Sequence, residues 1–203
     1  MRNMFKLLFV LALTLPAPLW AAPEIDGQYD SIGTVPARHS LQRVTFEEFL
    51  NFTCPHCNNF RGEAKGLFKK YGNRINRIYV PILFRGQADH PLRLFYIAEA
   101  EGKQEQVKDA IFDAAFKFNA NVYDKAVVAF LARQEGLYER YKAESQADWV
   151  SRKVFEAQQR ARAAGVDATP TIVLQNALRA KPDSGMAAFV NNLDALIGQL
   201  LKP

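Results

Sequence analysis

The chain has only two cysteines, Cys54 and Cys57, with two residues between them in the sequence "FTCPHCNNF". Such a pair could form a structural disulfide, bind zinc or act as a redox centre. A disulfide across so short a loop stabilises a fold little, because the entropic gain grows with loop length. Structural zinc needs four ligands, and the histidines outside this sequence are single residues in predicted loops. We therefore favour a redox centre and keep the other two as alternatives.

The residue spacing predicts that an amphipathic helix begins at the cysteine pair. Apolar residues recur every three or four positions, and we expect Gly72 to end the helix. This stripe consists of Cys57, Phe60, Ala64, Phe68 and Tyr71. Cys54 would then lie at the helix N-terminus, where free N–H groups and the helix dipole lower the pKa of a thiol. Cys57, on the apolar stripe, would be buried.

One accessible, acidic thiol beside a shielded partner is the arrangement needed for thiol–disulfide exchange. Cys54 would be the nucleophile and Cys57 would resolve the mixed disulfide. His56 could add a positive charge or a hydrogen bond to the Cys54 thiolate, and Pro55 fits the first helical turn. Because a stabilised thiolate stabilises the reduced protein, the disulfide form would be an oxidant.

Glu48 is a second candidate, six residues before Cys54 in the predicted strand "RVTFEEFLNF". The strand alternation places Glu48 on the core face, together with Val44, Phe46, Leu50 and Phe52. A buried carboxyl group there could relay protons to Cys57. It could equally be a structural acid paired with a base such as Arg77, and the two interpretations are compatible.

The sequence "GVDATPTIVL" supplies a third feature, a Thr169-Pro170 pair at the start of a predicted strand. If this peptide bond is cis, it makes a tight, exposed backbone corner. Thr169 would then offer free backbone groups to a substrate strand beside Cys54.

The elements around these residues predict an α/β fold. Residues 43–84 read as strand, helix and strand, which normally places the two strands parallel. Four or five helices follow up to about Gly165, one of them with an apolar stripe of Val107, Ile111, Ala115 and Phe118. The strand signal returns in "TPTIVLQ" and "LRA", and a last amphipathic helix ends the chain. Because "GQYDSIGTVPARHSLQ" before residue 43 reads as a short strand or turn region, the predicted order is β-β-α-β, a helical insertion, and β-β-α.

Residues 1–22 are typical of a secretory signal peptide. Arg2 and Lys6 precede the uncharged run "LLFVLALTLPAPLW", and "AAP" supplies small residues for cleavage. An uncleaved membrane anchor is the alternative, but the run is about 14 residues long whereas a spanning helix needs about 20. Export would place the cysteines in an oxidising compartment. Cleavage would remove two of the 26 basic residues and none of the 21 acidic ones, which lowers the formal charge from +5 to +3. The basic residues are scattered, so nucleic-acid binding has little support.

Together, "EFLNFTCPHCNNF", the helical insertion and "GVDATPTIVL" resemble the DsbA family of exported thiol–disulfide oxidoreductases. The resemblance implies a thioredoxin-like fold with an inserted all-helical subdomain. It places Cys54 at the nucleophile, Cys57 at the resolving cysteine and His56 at the histidine that stabilises the thiolate. Thr169 and Pro170 match the cis-proline loop, and Glu48 matches the buried acid. It also implies reoxidation by a quinone-linked membrane protein of the DsbB type.

We therefore expect a periplasmic monomer without cofactor or metal, which donates the Cys54–Cys57 disulfide to thiol-containing exported polypeptides. The expected domain division is a signal peptide (1–22), a thioredoxin-like domain in two parts (23–86 and 166–203), and a helical subdomain (87–165). An isomerase or reductase of the same fold is one alternative function. A redox-inactive binding or chaperone module is the other.

Overall fold

The structure is a computed structural model that describes residues 25–182 and 184–203, so the predicted signal peptide lies outside the described residues. Within these residues the chain forms five strands, eight α-helices and one short 3-10 helix, Gly72–Arg74. The strands are β1 (Tyr29–Ser31), β2 (Val44–Leu50), β3 (Ile75–Pro81), β4 (Thr171–Leu174) and β5 (Leu178–Ala180). The helices are α1 (Pro55–Glu63), α2 (Lys65–Tyr71), α3 (His90–Ala100), α4 (Gln104–Phe116), α5 (Lys125–Gln134), α6 (Tyr138–Glu144), α7 (Asp148–Ala163) and α8 (Met186–Leu200).

The strands form one sheet in the order β1-β5-β4-β2-β3. Strands β2 and β3 are parallel, as the strand–helix–strand reading predicts, while β4 runs antiparallel to β2 and to β5. Helices α3 to α7 follow one another between β3 and β4, and α8 closes the chain. The predicted fold class, an α/β fold with a helical insertion, is confirmed.

Strand β2 lies in the centre of the sheet, and both of its faces are buried. The alternation predicted one core face, but Glu47 and Phe49 on the other face are only 4% and 0% exposed. The prediction was wrong on this point because helices cover both sides of the sheet, which gives a central strand no solvent face.

The helix predicted from Pro55 to Tyr71 is divided in two at Ala64. Residues Gly62 and Gly66, both of low helix propensity, flank the division. The apolar stripe is retained, since Cys57, Phe60 and Ala64 are all 0% exposed. Gly72 ends α2 in a left-handed conformation with φ 52°, as expected for a helix-terminating glycine.

The apolar stripe predicted along α4 is shorter than expected. Val107 and Ile111 are buried, but Phe118 is 78% exposed. Helix α4 ends at Phe116, so Phe118 lies beyond the last turn and loses the helical register. Asn119 then turns the chain with a left-handed φ of 51°. In the described part of the chain, no helix combines the length and apolar character needed to cross a membrane.

The buried apolar residues form two clusters that meet near the cysteines. One cluster joins the sheet to helices α3 to α7 and includes Phe52 and Cys57. The other joins the sheet to α1, α2 and α8 and includes Phe46 and Phe60. The first turn of α1 therefore lies where the inserted helices meet the rest of the fold.

Candidate redox-active site

Cys54 occupies the N-cap of α1, where its side chain faces the free N–H groups of the first turn. The Cys57 N–H donates to the Cys54 Sγ at 3.4 Å. Pro55 follows in the first turn, where its missing N–H breaks no helical hydrogen bond. Cys54 is half-buried, whereas Cys57 is 0% exposed, and both are free thiols. The two sulfur atoms therefore differ in access, as the helical spacing predicts.

The environment separates the acidities of the two thiols. A hydrogen bond from the Cys57 side chain lowers the pKa of Cys54 to about 5, helped by the Thr169 side chain and by the backbone N–H groups of Cys57 and His56. Burial opposes this shift without cancelling it. Burial is also the main cause that raises the pKa of Cys57 well above its usual value, followed by the neighbouring Cys54. Cys54 is thus the thiol that ionises at neutral pH.

His56 reaches the Cys54 sulfur through its backbone N–H. Its side chain is exposed, and its imidazole makes no hydrogen bond or ion pair within residues 25–182 and 184–203. The stabilising role predicted for the imidazole therefore stays a prediction. Such a role would depend on the charge of the imidazole ring, since the ring makes no hydrogen bond with the Cys54 sulfur.

Thr169 lies beside Cys54 although 115 residues separate them in the sequence. The Cys54 Sγ is 3.1 Å from the Thr169 carbonyl oxygen, and the Thr169-Pro170 peptide bond is cis. Strand β4 begins directly after this bond and pairs with β2, which ends shortly before Cys54. The antiparallel pairing of β2 and β4 is therefore what brings the two segments together.

A cleft of about 690 Å³ opens beside the Cys54–Thr169 contact. Its walls come from the first turns of α1, the segment before β4 and the start of α8. Among the lining residues are His56, Asn59, Thr169, Pro170, Met186 and Phe189.

Asn51 holds the loop between β2 and Cys54, a role that the sequence analysis missed. Its Nδ2 donates to the Ile82 carbonyl oxygen at 2.9 Å, and its Oδ1 accepts from the Thr53 N–H at 3.1 Å and the Tyr123 O–H at 3.1 Å. The backbone N–H of Cys54 donates to the Asn51 carbonyl oxygen at 3.0 Å. Thr53 and Cys54 are local partners, but Ile82 and Tyr123 come from distant parts of the chain, and sequence spacing does not reveal those contacts.

Glu48 is 5% exposed and lies against a polar cavity of about 150 Å³ that is lined by neither cysteine. Burial raises its pKa to about 7, although the positive charges of Lys108 and Arg77 oppose the shift. The direct pairing with Arg77 considered from the sequence was wrong. The Arg77 Nη1 instead contacts the Glu105 carboxylate at 2.8 Å and the Tyr79 hydroxyl at 3.0 Å. Arg77 therefore acts on Glu48 only at longer range.

Comparison with known families decides the class of protein. A family model described as "Thioredoxin" (Thioredoxin_4) matches residues 40–192, which is most of the chain and includes both cysteines and Pro170. The chain belongs to this thioredoxin family.

The relatives of this thioredoxin-family chain are DsbA proteins. It is 29% identical over 161 residues to the thiol:disulfide interchange protein DsbA of Burkholderia cepacia, across 78% of this chain and 76% of that protein. It is 26% identical over 196 residues to the DsbA of Bordetella pertussis, across 94% and 92% of the two chains. The crystal structure of Pseudomonas aeruginosa DsbA matches with a TM-score of 0.68 at 20% identity, across 84% of this chain and 91% of that one.

The resemblance to DsbA drawn from the sequence is confirmed, and the chain is a DsbA-like thiol:disulfide oxidoreductase with a thioredoxin fold. An ionisable sulfur at a helix N-terminus, with a buried second sulfur beside it, is the arrangement that thiol–disulfide exchange requires.

Proposed function

We propose that the protein is a periplasmic disulfide oxidase that donates the Cys54–Cys57 disulfide to exported polypeptides. The observation that carries this proposal is the position of Cys54 at the N-cap of α1, where the Cys57 N–H donates to its Sγ and the pKa of the thiol is lowered to about 5. A thiol that ionises so readily is a good leaving group and stabilises the reduced form of the pair. The disulfide of such a pair is given away readily, which favours oxidation of substrates over reduction.

The exchange proceeds in two steps that balance in atoms and electrons. A substrate thiolate attacks the Cys54 Sγ of the disulfide, the S–S bond breaks, and Cys57 leaves as a thiolate that takes up a proton. A second substrate thiolate then attacks the substrate sulfur of the mixed disulfide, and Cys54 leaves as a thiolate. The substrate loses two electrons and gains a disulfide, while the protein gains two electrons and becomes a dithiol.

Glu48 is the proposed proton relay for Cys57. Because burial raises the pKa of Cys57, its thiolate is unstable and must be protonated as it forms. The pKa of Glu48 is about 7, which suits a group that gives and takes protons at neutral pH. Because no hydrogen bond joins the carboxyl group to either cysteine and neither cysteine lines the cavity, a water molecule would have to carry the proton between Glu48 and Cys57.

The cleft beside Thr169 and Pro170 is the proposed substrate site. Among the structural neighbours is a DsbA from Proteus mirabilis in complex with a non-covalently bound peptide PWATCDS, with a TM-score of 0.66 at 18% identity across 89% of this chain and 98% of that one. By analogy, an extended cysteine-containing segment would pair its backbone with Thr169 and place its sulfur near Cys54. Pro55 would shape the rim of the site, and the His56 ring would add positive charge beside the thiolate.

The proposal includes the cellular setting inferred from the sequence. Residues 1–22 would act as the signal for export, and a quinone-linked membrane protein of the DsbB type would reoxidise the dithiol. The mature chain would be a monomer with two units, the thioredoxin-like part (23–86 and 166–203) and the helical subdomain (87–165).

Measurement of the thiolate absorbance of Cys54 against pH, together with the equilibrium of the pair with glutathione, tests this function. We expect ionisation near pH 5 and an equilibrium in which the protein oxidises glutathione. Cys54→Ser should abolish exchange, whereas Cys57→Ser should accumulate mixed disulfides with substrates. His56→Ala should raise the pKa of Cys54 if the imidazole acts through its charge. A strongly reducing pair would contradict the oxidase assignment and leave only the general exchange activity.

A further inference from the structure

Lys108 is a buried lysine in α4 that the sequence analysis did not single out. Only 4% of the residue is exposed, which is rare for lysine unless its charge is compensated. Its ammonium group lies 2.9 Å from the Asp109 carboxylate and 4.8 Å from the centre of the Tyr79 ring. Lys108 therefore points from the inserted helices towards strand β3.

The Lys108 side chain lines the same cavity of about 150 Å³ as Glu48. A cavity of this size has room for several water molecules, each of which occupies about 30 Å³ in the liquid. The charged or titratable groups that face Glu48 come from every element around the cavity: Arg77 and Tyr79 on β3, Glu105, Lys108 and Asp109 on α4, Arg61 on α1 and Lys65 on α2. The net field at Glu48 therefore depends on which of these charges are already neutralised.

Carboxylate partners neutralise the two guanidinium groups that line the cavity. Arg77 contacts Glu105 at 2.8 Å, and Arg61 contacts Asp113 at 2.7 Å. Lys108 also has a carboxylate partner, Asp109, but the Lys108 side chain is only 6% exposed, against 19% for Arg61 and 34% for Arg77. Solvent therefore screens the positive charge of Lys108 least, and of the cations it acts most strongly on Glu48.

We propose that Lys108 is a positioning residue for Glu48, whose buried ammonium group sets the charge of that carboxyl group and so its capacity to exchange protons at neutral pH. Without Lys108, burial would hold Glu48 protonated throughout the neutral range. The inserted helices would thus tune the proton chemistry of the thioredoxin-like part through one side chain. The use of the Glu48 proton in disulfide exchange rests on the proposed function, whereas the effect of Lys108 on the charge of Glu48 does not.

Titration of the Glu48 carboxyl carbon by NMR tests the inference directly, in the oxidised full chain so that neither thiol titrates. Lys108→Met should raise the pKa of Glu48 by at least about one unit, since a nearby opposite charge shifts a carboxyl pKa by about 1–3 units. Lys108→Arg should restore it. Asp109→Asn should shift it in the opposite direction, because that change removes a negative charge. Lys65→Met is the matched control, since this exposed lysine lines the same cavity and should leave Glu48 within a few tenths of a unit.

The same variants separate this inference from the proposed function. The pH profile of the exchange rate should move with the Glu48 pKa in Lys108→Met and in Asp109→Asn, in opposite directions. A pH profile that stays fixed while the Glu48 pKa moves would contradict the relay role of Glu48 and leave the role of Lys108 intact. Equal shifts in Lys65→Met and Lys108→Met, or shifts of the same sign in Lys108→Met and Asp109→Asn, would overturn the inference. Asp109→Asn alters a half-exposed side chain, so it provides a result even if Lys108→Met folds poorly.

Discussion

Two adjacent carboxylates on the central strand β2 face opposite sides of the sheet and meet different surroundings. Both are buried, Glu47 at 4% exposure and Glu48 at 5%. Glu47 forms an ion pair with Arg160 of α7, whereas Glu48 faces the polar cavity and has no direct ionic partner in the part of the chain that the structure describes. Burial raises the pKa of both groups, but the Arg160 charge and hydrogen bond oppose the shift at Glu47, and Glu48 reaches about 7.

The difference shows that burial alone does not make a carboxyl group available for proton transfer. Glu47 is tied to Arg160, so its charge serves to join α7 to the sheet. Glu48 has charges around it at longer range, so it can gain or lose a proton without breaking an ion pair. The side of the sheet that carries α1 therefore has a buried carboxyl group that is free to titrate, and the side that carries α7 has one that is held by an ion pair.

The largest expected effect is on the pH dependence of stability in Glu48→Gln. The folded pKa of Glu48 is about 7 and the unfolded value is 4.5, so the folded protein holds this proton more tightly. The wild type therefore loses stability as pH rises from 4.5 to 7, and Gln removes that loss. The advantage of Glu48→Gln should grow by about 3 kcal/mol across this window. Urea unfolding of the oxidised protein at several pH values measures it. Glu47→Gln is the matched control, and a pH dependence as large there would erase the contrast between the two faces.

A smaller effect is expected when the ion pair of Glu47 is broken. Arg160→Ala leaves the carboxyl group buried without its partner, which should raise the pKa of Glu47 further. The destabilisation should be about 1–2 kcal/mol at pH 7, since the penalty for an unpaired buried charge is reduced here by the half-exposed position of Arg160. It should fade as pH falls towards 4.5, because the folded pKa of Glu47 is raised above that value and protonation removes the charge with which Arg160 pairs.

Arg152→Ala is the control for that experiment, because Arg152 is exposed on the same helix. A loss of stability that is independent of pH in Arg160→Ala would show that the arginine acts by packing and not through its charge. Arg160→Lys should recover part of the stability, because a lysine retains the charge but loses the planar guanidinium geometry.

The smallest effect is expected from salt. Because 46% of the Arg160 side chain is exposed, ions can screen its pair with Glu47, so the stability difference between wild type and Arg160→Ala should shrink by about 0.5 kcal/mol or less at 1 M salt. The pKa of Glu48 should respond less, since its surroundings are buried. Equal salt sensitivity at both carboxyl groups would indicate that the cavity beside Glu48 is open to bulk ions.

The local features of the site could be predicted because they depend on neighbours in the sequence. The helix start at Cys54 and the burial of Cys57 follow from the three- and four-residue spacing of apolar residues. The burial of Glu48 follows from strand alternation. The same alternation failed for Glu47, because the pattern cannot say whether the second face of a strand is covered. The helical spacing failed for Phe118, because spacing alone does not show where a helix ends.

The contacts that set the chemistry could not be predicted. Lys108 reads as an ordinary helical lysine, and only the packing of α4 against β3 turns it into a buried charge beside Glu48. Asn51 reads as a polar residue at a strand end, yet it ties the loop before Cys54 to the carbonyl of Ile82 and the hydroxyl of Tyr123. Each of these roles depends on long-range partners, and sequence spacing carries no information about them.

The sequence by itself determined the order of the elements, the redox pair at a helix N-terminus and the acid on the strand before it, because periodicity and capping act over a few residues. The tertiary structure alone decided the 3.1 Å contact of Cys54 with Thr169, the Arg160 partner of Glu47, and the polar cavity with its charges beside Glu48. These depend on which elements pack together, and packing is fixed by the burial of many distant side chains at once.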